Sequence, residues 1–573
     1  MKRRTAWILV AGVAALALGA AGVGALALVL RGGAKATVFG KDKDAYLALD
    51  LSGEIPEQAA GDLGFLFESS PPSLRALVES LDRGATDPKI KGAIIEVGGL
   101  SDSGWGKVQE LRDAIARFRK SGKPAYAYIE FCGNREYYLA TACSKVYAVP
   151  SSLILVSGLA AEVTFFRRTL DKLGVQAEFE GVGKYKNAPN QFTEDSFTEP
   201  HREQTEALVD SLYGQYVAAI AHSRNKTPQQ VRALVDQGPY DGHSALAAGL
   251  VDELIYRDDL ETRIKHADHM TPGRYVRASR TFGFDGRAKV ALVYAVGEIV
   301  SGKSGSGPWS GGLVGSDTLA RVIREARNDE QVRAIVLRVD SPGGSGTASD
   351  VIWREVGLAR KVKPVVVSMG DVAASGGYYI AMNGDAIVAE PGTITGSIGV
   401  FSGKFNLRGL YDKVGLTKEI VARGRNATIF SDYQPWSAEE KARMRSLMTS
   451  FYGEFVSKAA AGRKKTVEEI DRVAQGRVWT GAEALKVGLV DRLGGLDVAL
   501  ALAREKAKIG KDEELNLVVL PERKGFFEML MERQEEGVSE RLLPSELRAM
   551  AGWAARLSGQ GPIARMPFEL QVK

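Results

Sequence analysis

The chain repeats itself. Leu51-Ser52-Gly53-Glu54-Ile55 returns as Ala295-Val296-Gly297-Glu298-Ile299. Asp87-Pro88-Lys89-Ile90-Lys91-Gly92-Ala93-Ile94-Ile95 returns, with one gap, as Asp329-Glu330-Gln331-Val332-Arg333-Ala334-Ile335-Val336. Lys123-Pro124 matches Lys363-Pro364, Tyr137-Tyr138 matches Tyr378-Tyr379, and Ala248-Gly249-Leu250-Val251-Asp252 matches Val487-Gly488-Leu489-Val490-Asp491. The copies stay roughly 240 positions apart, far beyond the 20–50 residues of a solenoid repeat, so one domain of about 200 residues is duplicated. In the second copy the β-branched runs Val290–Val296, Ala334–Val339 and Pro364–Met369 alternate with the amphipathic stretches Thr318–Arg327 and Asp350–Lys361. That alternation predicts an α/β fold with parallel strands and right-handed crossovers. The expected units are residues 46–270 and 288–500, joined around 271–287, with a helical tail over 501–573.

Lys2, Arg3 and Arg4 precede an uncharged apolar run from Trp7 to Leu30, closed by Arg31. As a helix the run is roughly 36 Å long, enough to cross a hydrocarbon core of about 30 Å. It exceeds the apolar stretch of a cleavable signal peptide, so residues 7–30 are expected to be a transmembrane signal anchor, with cleavage at the small-residue site Ala25-Leu26-Ala27 as the alternative reading. The leading positive cluster keeps the N-terminus inside and places the body outside. Cys132 and Cys143 are separated by a helical stretch of about 12 Å, too long for a disulfide, and are expected free and buried.

The 75 basic and 70 acidic side chains leave a net charge of +5, too balanced to point to nucleic acid. Two cysteines, and five histidines confined to 201–269 without an H-E-x-x-H, argue against a thiolate cluster or a zincin site. No metal and no cofactor are expected. Gly297-Glu298-Ile299-Val300-Ser301-Gly302-Lys303-Ser304 fits the P-loop pattern, but Gly305-Ser306-Gly307-Pro308 cannot begin the helix a phosphate cradle needs.

Three small-residue loops remain, all in the second copy. Ala373-Ala374-Ser375-Gly376-Gly377-Tyr378-Tyr379 puts Ser375 between a strand and a helix, where a serine is a nucleophile or merely an N-cap. Ser341-Pro342-Gly343-Gly344-Ser345 follows a strand, and its glycines either aim N–H groups at an oxyanion or make a tight turn. Thr393-Ile394-Thr395-Gly396-Ser397-Ile398-Gly399 carries the same ambiguity. In the first copy Asn134 stands opposite Ser375, so that copy lacks the hydroxyl. It offers instead Gly183-Lys184-Tyr185-Lys186-Asn187-Ala188, where Lys186 stands opposite Arg425. A desolvated lysine can act as a base, whereas an arginine stays protonated; a solvated surface lysine is the other reading.

Together Ser-Pro-Gly-Gly, Ala-Ala-Ser-Gly-Gly-Tyr-Tyr, Thr-Gly-Ser-Ile-Gly-Val and Lys-Tyr-Lys-Asn-Ala resemble the signal peptide peptidase A (protease IV) family in its long tandem form, over roughly residues 46–500. The resemblance implies duplicated Clp-protease/crotonase-like domains and a serine endopeptidase with Ser375 as nucleophile and Lys186 as general base. It implies oxyanion donors near Gly343 and Gly344, and Ser397 orienting the lysine. It further implies signal-peptide remnants as substrates, a homotetramer, and a single-pass anchor in the bacterial inner membrane with the body on the extracytoplasmic side. The competing classes are a crotonase-type acyl-CoA enzyme, which shares the double-glycine oxyanion site, and an inactive membrane scaffold.

Overall fold

The computed structural model describes residues 44–58, 71–101, 103–279, 288–307, 311–511, 513–520 and 563–565. The expected anchor at 7–30 lies outside them. Among the described residues no helix is long and apolar enough to cross a membrane.

The first half is built on parallel strands β1 (Ala45–Leu51), β2 (Ile90–Val97), β3 (Ala125–Cys132) and β4 (Lys145–Ile154). β1 alternates buried and partly exposed positions, while β2 is buried on both faces, as suits an inner strand of a covered parallel sheet. The helices Leu74–Thr86 and Trp105–Lys120 are the crossovers, the former capped by Ser73, whose Oγ accepts from Ala76 N at 3.3 Å. β5 (Gln176–Val182) leaves this sheet altogether. The short strands β6 (Tyr240–Asp241), β7 (Glu253–Leu254) and β8 (Asp268–Met270) complete it in the order β6-β4-β3-β2-β1-β8, with β7 also on β4.

The second half opens with β9 (Ala288–Val296), β10 (Glu298–Val300), β11 (Gly305–Gly307) and β12 (Gly311–Gly315). β13 (Val332–Ser341) and β14 (Gly343–Ser345) are separated only by Pro342. Then come β15 (Val365–Ala374), β16 (Ala386–Ala389), β17 (Ile394–Gly396), β18 (Val400–Asn406), β19 (Val478–Thr480), β20 (Arg492–Leu493), β21 (Leu515–Leu520) and β22 (Ile563–Arg565). Its main sheet runs β19-β17-β15-β13-β9-β21, with β16 between β15 and β20. Strand for strand this is the order of the first sheet, β21 standing where β8 stands. The unit therefore extends past residue 500. Leu515-Asn516-Leu517-Val518-Val519-Leu520 pairs in parallel with β9 along its length, so this part of the expected helical tail is an edge strand of apolar and β-branched residues. β22 is likewise a strand rather than a helix. Cys132 and Cys143 are free and buried, as their spacing requires. The Gly-Lys-Ser of the P-loop-like stretch runs into β11, not into a helix.

A third sheet crosses between the halves, in the order β11-β12-β10-β14-β22-β18-β5. β5 of the first half pairs antiparallel with β18 of the second over seven residues, from Gln176↔Asn406 to Val182↔Val400. A buried charge network adds to this junction. Arg338 on β13, 1% exposed, donates from Nε and Nη2 to Glu57 at 3.0 and 2.8 Å and from Nη2 to Glu110 at 2.8 Å. Lys107 lies 3.1 Å from Asp340 and 3.5 Å from Asp371, whose carboxylate accepts from Gly104 N and Lys107 N, both at 2.7 Å. Burial pushes the Asp371 carboxyl up to about 6 against the pull of Lys107.

Replacing Arg338 by leucine leaves Glu57 and Glu110 buried without their cation, and removing one partner of such a cluster costs about 3–5 kcal/mol. A lower urea midpoint for Arg338→Leu, followed by tryptophan fluorescence, is the expected result.

Candidate active site

Ser375 sits at the corner where β15 ends and the helix Gly376–Ala381 begins. Its backbone, at φ 54° and ψ −112°, lies in a region that L residues rarely adopt, at a cost of order 1–3 kcal/mol. The neighbours hold it there. Its N–H donates to Gly396 O at 2.8 Å, and its carbonyl accepts from Tyr379 N at 2.8 Å. The chain after it must be glycine, because a Cβ at Gly377 would come within 2.5 Å of Ser341 O. At this sharp corner the residue is fully buried.

What it meets is a side chain from the other half. β5 runs along β18 and ends at Val182, and the turn beyond it carries Lys186 back into the second half. Tyr185 N donates to Gln475 O at 2.8 Å, seating the turn on the loop before β19. At Gly476, with φ 78°, an added Cβ would lie 2.5 Å from Lys186 N, so only glycine lets the two backbones approach this closely. Lys186 Nζ then stands 2.7 Å from Ser375 Oγ, 2.9 Å from Ser397 Oγ and 3.0 Å from the Ser397 carbonyl oxygen. Ser397, also at positive φ (52°), is fixed by its N–H donating to Arg477 O at 2.7 Å. All three residues are buried. Burial, the cause of the shift, holds the Lys186 amine well below its usual range.

Gly343 and Gly344 form the third side. Both have positive φ, 99° and 152°, and a Cβ at Gly344 would lie 2.1 Å from Ile299 O. Gly343 N donates to Ser341 Oγ at 3.2 Å. A Cβ at Gly343 would lie 2.6 Å from Gly376 N, which puts the backbone N–H after Ser375 beside the double glycine. Sequence reasoning missed Gly376 N–H as a member of this group, and missed Gly476 as the seat of Lys186. The first was legible as the glycine next to the serine; the second depends on a contact between distant loops.

The corresponding positions elsewhere are differently employed. Asn134, at the start of the helix Asn134–Ala140, donates from Nδ2 to Gly158 O at 2.8 Å. Its Oδ1 accepts from Ser157 N and Gly158 N, both at 3.3 Å, and from Tyr216 OH at 3.2 Å. Arg425 is exposed and pairs with Glu439 at 3.2 Å. Among the described residues no group of His, Cys, Asp and Glu side chains is arranged to hold a metal.

The family model for peptidase family S49 matches residues 117–271 and 358–510. The chain is 37% identical over 492 residues to a chloroplastic serine protease SPPA of Arabidopsis thaliana, covering 83% of this chain and 71% of that protein. It is 33% identical over 531 residues to protease 4 of Salmonella typhi, covering 88% of this chain and 84% of the other. A solved membrane-bound stomatin-specific protease matches 43% of this chain and 98% of its own, at 18% identity and a TM-score of 0.26.

A lysine with a lowered folded-state pKa binds its proton more weakly in the folded than in the unfolded chain, so it costs stability wherever the unfolded lysine is protonated. That cost is largest at low pH and fades as pH rises to about 10.4, the ordinary lysine value. Lys186→Met therefore gains stability relative to the parent at neutral pH, and the gap narrows on raising pH, as thermal midpoints measured across a pH series will record.

Proposed function

Because this chain belongs to peptidase family S49 and is a serine peptidase, we propose that Ser375 is its nucleophile and Lys186 its general base, both contributed by one chain. The observation that carries this reading is the 2.7 Å approach of a buried lysine amine to a buried serine hydroxyl. A neutral amine has two N–H groups and one lone pair. The two N–H groups donate to the Ser397 carbonyl oxygen and Ser397 Oγ, and the lone pair faces the Ser375 hydroxyl. Ser397 thus orients the base.

In the reaction, Lys186 takes the Ser375 proton as Oγ attacks the peptide carbonyl carbon. The carbonyl oxygen gains negative charge, which backbone N–H groups of the Gly343–Gly344 strand and of Gly376 stabilise. Lys186 then returns the proton to the departing amine nitrogen, leaving an acyl-enzyme. Water, deprotonated by the same amine, releases the acid and restores Ser375. Two duplicated Clp-protease/crotonase-like domains divide this work, the first supplying the base and the second the nucleophile. We assign the substrates as signal-peptide remnants and other membrane-associated peptides. The chain acts as a homotetramer, anchored by residues 7–30 in the bacterial inner membrane with its body on the extracytoplasmic side. An anchor beside the bilayer raises the local concentration of such peptides. The reaction uses no metal and no cofactor.

With a fluorogenic peptide amide, Ser375→Ala is expected to abolish turnover, and Lys186→Met to lower kcat about 10²–10⁴-fold, the usual contribution of a general base. Lys186→Arg will not restore it, because the guanidinium stays protonated. Since the base must be neutral, kcat/KM of the parent falls as pH drops through the lowered Lys186 pKa. Parent-like turnover by Ser375→Ala would overturn the assignment.

A further inference from the structure

Three residues stand between the lysine turn and the loop that carries Ser397. Gln475, Gly476 and Arg477 precede β19, and their backbone is bonded on both sides. Gln475 O accepts from Tyr185 N at 2.8 Å, one residue before Lys186. On the other side Gly476 N donates to Ile398 O and Arg477 O accepts from Ser397 N, both at 2.7 Å. This segment is therefore the spacer that sets how far Lys186 stands from Ser397, the residue whose two oxygens hold the amine.

The Arg477 side chain closes this spacer onto the first half. Its Nη1 donates to Tyr185 OH at 3.1 Å and to Glu203 Oε1 at 2.7 Å, while Tyr185 OH donates to Glu203 Oε2 at 2.8 Å. The three groups form a closed ring of hydrogen bonds. The guanidinium carbon also lies 4.8 Å from the centre of the Tyr185 ring and 4.6 Å from that of Trp479, whose Nε1 donates to Val473 O at 2.9 Å. Glu203 belongs to the helix Glu199–Arg224 of the first half, and the next residue, Gln204, accepts from Val478 N at 2.9 Å. One arginine thus holds Ser397 through its backbone and the residue beside Lys186 through its side chain. The hydrogen bonds from Tyr185 and Arg477 hold the Glu203 carboxyl below its usual range, so the ring stays ionised at neutral pH. A half-exposed ion pair of this kind contributes little to folding stability. What the ring constrains is the direction of a long, flexible lysine side chain.

We propose that Arg477, clamped to Tyr185 and Glu203, is a positioning residue for the general base: it fixes Lys186 against Ser397 so that the amine lone pair faces the Ser375 hydroxyl. The inference rests on the reading of Ser375 and Lys186 as the catalytic pair. Arg477 acts through Lys186 and Ser397 and does not touch the peptide, so its loss lowers kcat and leaves KM. A misplacement of about 1 Å, caused far from the reacting bond, is worth about a hundredfold in rate. Loosening the spacer also lets water reach the amine, which weakens the desolvation acting on it.

The test uses full-length chains, the fluorogenic peptide amide and fluorophosphonate labelling across pH, with Ser375→Ala and Lys186→Met as controls for the catalytic reading. Arg477→Met keeps an unbranched stem beside the two rings and removes the donors. It is expected to lower kcat about 10–100-fold at unchanged KM. The pH midpoint of labelling is expected to move upward, toward the ordinary lysine value of about 10.4. Tyr185→Phe and Glu203→Gln each remove one partner from the ring and are expected to cost up to about tenfold in kcat. Either one combined with Arg477→Met should cost no more than Arg477→Met alone, because the three act as a unit. Arg477→Lys, which keeps a cation for Glu203 but has no plane to lie on the rings, recovers part of the rate. A lower kcat with an unmoved pH midpoint refutes the proposal, since it marks a merely structural part. A higher KM at parental kcat also refutes it, since it marks a contact with the peptide. If Ser375→Ala or Lys186→Met turns over at the parental rate, the catalytic reading falls first; if both lose turnover while Arg477→Met behaves as the parent, only the positioning role falls.

Discussion

A lysine amine held out of water between the two halves of one chain is the interaction around which the structure is organised. Desolvation disfavours its charge, and the groups around it are two oxygens of Ser397 and the hydroxyl of Ser375. Neither half can build this site alone. The first half lacks the hydroxyl, having Asn134 where the second has Ser375, and the second lacks the amine, having an exposed arginine at 425. The seven-residue pairing of β5 with β18 is what brings the complementary parts together.

The electrostatics of the junction divide into two kinds. At the site, a lone amine is buried, no carboxylate pairs with it among the described residues, and desolvation holds its pKa well below the usual lysine value. A few strands away, Arg338, Glu57, Glu110, Lys107, Asp340 and Asp371 are buried as mutually satisfied charges. Such clusters give little net stability against apolar substitutes, but they penalise strongly any docking that mismatches them. Their place here, with partners drawn from both halves, ties the relative position of the halves to the same geometry that sets the Lys186–Ser375 distance. The backbone strain at Ser375 and Ser397 is carried by that surrounding pairing.

Much of this was legible in the sequence because it is local. The duplication appears as matched short runs, the parallel strands as β-branched stretches such as Ala334–Val339, and the corner at Ser375 as small residues between a strand and a helix. The meeting of Lys186 with Ser375 was reached through motif resemblance, since nothing in a one-dimensional pattern states that residues 189 positions apart stand within hydrogen-bond distance. What remained hidden was long-range. The Gly476 seat depends on two loops touching, the edge strand Leu515–Leu520 on a partner far back in the chain at β9, and β22 on a slot that exists only once β14 and β18 are in place. An apolar run such as Leu515–Leu520 has no periodicity that separates strand from buried helix, and its sheet partner decides the matter.

The most direct measurement is the rate at which a fluorophosphonate labels Ser375 as a function of pH, in the parent and in Lys186→Met. If a neutral, buried Lys186 activates the hydroxyl, the parent rate rises with pH to a plateau, with its midpoint well below 10.5, and the substitution removes both the midpoint and most of the rate. Equal labelling of the two chains across the pH range would contradict the pairing of this amine with this hydroxyl.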